Sequence, residues 1–116
     1  MQHNDTDSLD NNIPSNMQAL LAEAQRMQQR LQETQENIQS YSIQYETGGG
    51  LVKVVMDGRY HILSINISPE IINADDQIIL QEAITAAING AVEIIQEYSR
   101  TELEKVTGGI SIPGLF

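Results

Sequence analysis

Between Ile78 and Tyr98 the chain carries a helical pattern whose apolar arc is too wide for a single neighbour. Glu82, Thr85, Asn89, Glu93 and Gln96 fall on one stripe, and at about 100° per residue the remaining circumference, more than half, is apolar. A helix resting on one sheet needs a narrower stripe than this. The excess must be covered by something else, so Leu80, Ile84, Ala87, Ile88, Ala91, Ile94 and Ile95 are the expected core and subunit-contact positions. Gly90, in mid-helix, is unfavourable by about 1 kcal/mol relative to alanine and points to a close backbone contact there.

The rest of the chain supplies one partner for that helix. Apolar or small residues recur at Met17, Leu20, Ala24, Met27, Leu31, Thr34, Ile38 and Tyr41, alternating three and four apart. This predicts a first helix of roughly 25 residues, about 37 Å long at ~1.5 Å per residue. Ser15 and Gln18 have the spacing of a capping box at its start. Period-two alternation follows in Ile43 to Tyr45, in Leu51 to Met56 and in Tyr60 to Ile67, with Leu63, Ile65 and Ile67 on one face. Asp57-Gly58 reads as a two-residue hairpin turn of the type that needs positive φ. Ser68-Pro69 closes the third strand, because proline cannot continue the ladder. Asn73 or Asp75 caps the second helix, and Thr107-Gly108-Gly109 stops it. The expected fold class is therefore α+β: an α-β-β-β-α subunit with a three-stranded antiparallel meander between two long helices.

Residues 1–14 are polar, contain Asp5, Asp7 and Asp10, and are expected to form a flexible acidic tail; residues 15–116 form the one domain that 116 residues allow. The apolar "ISIPGLF" at residues 110–116 is expected to lie in a groove. No cysteine is present, which excludes disulfides and thiolate chemistry. The N-terminal residues lack a basic patch and an apolar core, and the longest aliphatic runs are two or three residues, so a soluble cytoplasmic protein without a membrane partner is expected. Sixteen acidic residues face six basic ones, for a formal charge of −10. That balance repels polyanions at long range. It is uneven: half the acids lie between Glu70 and Glu104, whereas Tyr41 to Pro69 is balanced.

Gly48-Gly49-Gly50 lacks the lysine and hydroxyl residue of a phosphate loop and precedes a strand, so it reads as a bend. His61 has no cysteine to complete a metal set and no serine on a sharp turn to activate. Asp75-Asp76 are explained by a helix start. No residue set predicts an enzyme, a metal site or a cofactor.

The stretches "LLAEAQRMQQRLQETQENI", "GGGLVKVVMDG", "INISPEII" and "VTGGISIPGLF" resemble, in that order, the YbaB/EbfC family of nucleoid-associated proteins, and the resemblance spans residues 16–116. It implies a homodimer with helices projecting like tweezers, a place in the bacterial cytoplasm and nucleoid, and non-enzymatic binding of duplex DNA that alters its conformation with little sequence demand. Where relatives carry basic residues in the third strand this chain has Leu63 and Ser64, and where an arginine pair is familiar in the second helix it has Glu93-Ile94. The cations left for phosphate contacts are Arg26, Arg30, Lys53, Arg59, Arg100 and Lys105. Arg26 and Arg30 are one turn apart on a single helix face, with Glu23 and Glu33 within reach. The rival reading is an acidic relative that acts as a protein-interaction module or pairs with a more basic paralogue.

Overall fold

A computed structural model describes residues 14–109. The expected order of elements is present: helix α1 (Ser15–Ser40), strands β1 (Ser42–Thr47), β2 (Val52–Asp57) and β3 (Ile62–Ile67), two short 3-10 turns (Pro69–Ile71 and Ala74–Asp76), and helix α2 (Gln77–Thr107). The expectations for the acidic tail and for "ISIPGLF" fall outside the described residues.

The strands form one antiparallel sheet in the order β1-β2-β3. Its alternation sorts the residues. Val52, Val54 and Met56 on β2 are almost fully buried, and they pack with Ala87, Ala91 and Ile95 of α2 and with Ile71. At about 25 cal/mol per Å2 of apolar surface removed from water, burial of this face stabilises the fold. Ile43 and Tyr45 share the face through their register with Met56 and Val54. Thr47, next along β1, donates its hydroxyl to the Ala83 carbonyl at 2.9 Å and ties the strand end to α2.

Each glycine turn has its own cause. Gly48, Gly49 and Gly50 all have positive φ, as the bend reading requires. The Asp57-Gly58 expectation is corrected. The two strands are joined by a three-residue loop, with the Tyr60 amide donating to the Asp57 carbonyl and the Asp57 amide to the His61 carbonyl. The left-handed residue is Tyr60, φ 64°, the arrangement in which a turn is followed by one αL residue. Gly58 is required by packing: a Cβ there would sit 1.7 Å from the Ile38 carbonyl oxygen. A register shift between Val55 and Met56 then brings Ile62 opposite Met56, so β3 begins later than expected, at Ile62.

Helix α1 starts one residue away from its expected cap. Pro14 holds the cap position, and the Gln18 amide donates to the Pro14 carbonyl at 3.0 Å. At the other end Tyr41 stacks on Tyr98 of α2, ring centroids 3.8 Å apart and 12° from parallel. The expected side-chain cap of helix α2 is corrected. Asn73 accepts from the Asp76 amide and so caps the 3-10 turn Ala74–Asp76, while α2 itself follows from Asp76 with no side-chain cap. The helix ends at Gly108, φ 68°, as expected. By length and composition alone α2 could cross a membrane, although no aliphatic run in it exceeds three residues; in the fold, its Ala87-Ala91-Ile95 stripe is occupied by the sheet. The close contact expected at Gly90 is with a side chain: a Cβ there would meet the Tyr45 ring at 2.2 Å.

Candidate nucleic-acid interface

The six cations are spread over three places. Arg26 and Arg30 lie on α1, Arg100 and Lys105 on the part of α2 that follows the core-forming Ile95, and Lys53 and Arg59 on the sheet. Helices α1 and α2 pack against each other. The Tyr41–Tyr98 stack marks the root of this pair, and Ile38, Leu103 and Val106 are its buried apolar residues. Both helices continue past the sheet as an arm bearing four of the six cations. Arg59 sits at the hairpin beside the root, where the Gly58 amide donates to the Tyr41 carbonyl at 2.8 Å.

Acidic neighbours engage most of these groups. Arg26 pairs with Glu23, Arg100 with Glu97, Lys105 with Glu102, and Lys53 with Glu46 at 3.9 Å across the β1–β2 ladder. The hydrogen bond and charge of Glu102 raise the Lys105 pKa, so that ammonium stays protonated. Every cationic member is at least 47% exposed. Such exposed pairs are screened by salt and contribute little, so their cations exchange readily for another anion. Glu33, which the sequence places within reach of Arg30, instead accepts from the Gln29 amide group at 3.4 Å. Arg30 and Arg59 make no ion pair among the described residues.

Asp57 organises the hairpin that carries Arg59. Its carboxylate accepts from the amides of Arg59 at 2.9 Å and His61 at 3.0 Å. These bonds, that of His61 foremost, hold its pKa below the usual value of 3.8. Sequence reading used Asp57 as half of a turn signal and missed this role. The signal was there, since aspartate favours bonding to backbone amides two residues on. Tyr98 was also missed, because a stacking partner 57 positions away leaves no local pattern.

The residues expected to serve the core or a subunit contact divide. Ala87, Ala91 and Ile95 are buried against the chain's own sheet, and Leu80, Ile84 and Ile88 are half-buried around them. Ile94 is 38% exposed. More apolar surface lies open on Ile78 and Ile79 of α2 and on Ile62, Leu63 and Ile65 of β3. Among the described residues no group of three or more His, Asp or Glu side chains could hold a metal ion.

A helix, a three-strand meander and a second helix, with cations along a projecting helical pair, define a class of small α-β-β-β-α proteins. The crystal structure of an uncharacterized protein from Helicobacter pylori has the same fold: TM-score 0.65 at 16% identity, covering 84% of this chain and all of the other. Residues 13–110 match the YbaB/EbfC DNA-binding family, and the chain belongs to that family. It is 39% identical over 101 residues to a nucleoid-associated protein of Caldanaerobacter subterraneus subsp. tengcongensis, covering 87% of this chain and 91% of the relative. Nucleoid-associated proteins of Clostridium novyi and Desulforamulus reducens are 40% and 41% identical over 101 residues, covering 87% of this chain and 89% and 96% of theirs.

Proposed function

We propose that the chain is a non-enzymatic, nucleoid-associated protein of the bacterial cytoplasm that binds duplex DNA as a homodimer. It holds the phosphate backbone with little regard to base identity and changes the path of the duplex. Family membership across residues 13–110 carries this reading. The exposed cations of the arm support it, because groups held only by weak local pairs can transfer to phosphates. Indifference to sequence follows from the lack of any element shaped like a major-groove recognition helix among the described residues. The open β3 edge and the apolar surface of Ile62, Leu63, Ile65 and Ile94 support a second copy as the cover for the sheet. Pairing with a more basic paralogue would use the same surface.

The test is a titration of duplex DNA with the purified protein at two salt concentrations. Log affinity is expected to fall with log salt by about 0.9 for each phosphate neutralised. Replacing Arg26 and Arg30 by alanine should weaken binding on every sequence alike and flatten that slope by about 1.8 per chain, if each arginine meets one phosphate. No retention on DNA even at low salt would refute the reading and assign the scaffold to protein interaction.

A further inference from the structure

The hairpin between β2 and β3 carries a residue that its backbone does not favour. Tyr60 has φ 64°, in the left-handed region that glycine, asparagine and aspartate enter readily and a bulky side chain rarely does. In a three-residue hairpin loop this is a position that suits glycine. The ring does not offset the strain by filling the core. It is 45% exposed and takes no part in the packed cluster between the sheet and α2. Backbone strain that the fold itself does not use points to function.

The loop around Tyr60 is tightly held. The Asp57 carboxylate accepts from the Arg59 and His61 amides, and the Tyr60 amide donates to the Asp57 carbonyl. The Gly58 amide donates to the Tyr41 carbonyl, which fixes the loop at the root of the arm. Asp57, the one acid of the hairpin, is thereby occupied: its side chain is only 16% exposed, with His61 Nδ1 3.8 Å from its second oxygen. No further acid occurs from Gly58 to Pro69, in a chain that has sixteen. Arg59, also exposed, makes no ion pair among the described residues.

We propose that Tyr60 is a DNA-contact residue, its phenol hydroxyl donating to a phosphate oxygen while the Arg59 guanidinium engages the backbone beside it. Arginine and tyrosine are both regular donors to phosphate oxygens, and the braced loop presents them side by side at no cost in ordering. The inference rests on the DNA-binding reading and adds the hairpin tip to the cations of the arm.

Tyr60→Phe removes only the hydroxyl and leaves the backbone as it is. In an anisotropy titration of a labelled duplex at low salt, it should weaken binding about fivefold, as for one lost hydrogen bond. The salt slope should not change, because a neutral donor releases no counterion, whereas Arg59→Ala should flatten that slope by about 0.9 per chain. Tyr60→Gly should also weaken binding, yet raise the urea midpoint at a fixed protein concentration, since glycine relieves the strain. A wild type that binds DNA and a Tyr60→Phe variant that binds equally well would overturn this proposal alone. So would a lowered urea midpoint in Tyr60→Gly, which would tie the ring to the fold. A wild type that is not retained on DNA even at low salt would overturn the DNA-binding reading and this proposal together.

Discussion

Gly90→Ala sets two calculable effects against each other. Alanine is the better helix former by about 1 kcal/mol, so in an open helix the change would stabilise. Here the new methyl would lie 2.2, 2.5 and 2.8 Å from three carbons of the Tyr45 ring, where ordinary carbon contacts are about 3.5–4.0 Å. The ring has little room to yield, since Tyr45 pairs with the fully buried Val54 and packs against the core. Overpacking of this kind costs about 3 kcal/mol at its upper end, which leaves a net loss of about 2 kcal/mol. For a chain of this length that lowers Tm by roughly 10 °C. In a Tyr45→Ala background the obstruction is gone, and the same Gly90→Ala change should stabilise by up to about 1 kcal/mol. The coupling between the two sites is then about 3 kcal/mol. Urea unfolding followed by circular dichroism measures all four chains, at one protein concentration because association shifts apparent stability. A Gly90→Ala single variant with a raised urea midpoint would refute the packing argument.

Two further glycines separate steric from conformational need. Gly58→Ala, whose methyl would strike the Ile38 carbonyl, should cost at least about 3 kcal/mol in a urea melt, while Gly108→Ala, with open space but φ 68°, should cost only about 1 kcal/mol. Tyr98→Leu removes the stack at the root of the arm and should cost about 1 kcal/mol beyond lost area, with a change in the near-ultraviolet tyrosine signal. Asp57 has a folded pKa below its ordinary 3.8, so the stability it contributes is present above 3.8 and is lost as pH falls through the lower folded value. Carboxyl chemical shifts should show its midpoint below 3.8, and Asp57→Asn should make the acid end of the stability profile less steep.

Periodicity exposed the order of elements because each has a face to bury. The alternation of β2 and the broad arc of α2 record that burial, as does the last part of the α1 heptad, where Ile38 is buried, and the positive-φ glycines at 48–50 and 108 mark where the backbone must reverse. Asp57-Gly58 misled because glycine answers two demands that look alike in sequence. At 58 the demand is room for the Ile38 carbonyl, set by a segment 20 residues earlier, so local turn rules cannot express it. The cations could be found but not sorted. Glu23 and Glu33 stand equally near their arginines along the chain, yet only Glu23 forms the pair, since Glu33 is taken by Gln29. Side-chain competition of that kind is decided by rotamers.

Helix α2 is greasy enough to be mistaken for a membrane segment, and it follows all three strands in the chain. The order of synthesis makes this safe. By the time Gln77 leaves the ribosome, all three strands have already been made, so the hydrophobic helix emerges beside a finished surface that can claim it before any insertion machinery does. A circular permutant that began with α2 would have identical contacts once folded, yet it would offer that helix to the cell with nothing to cover it.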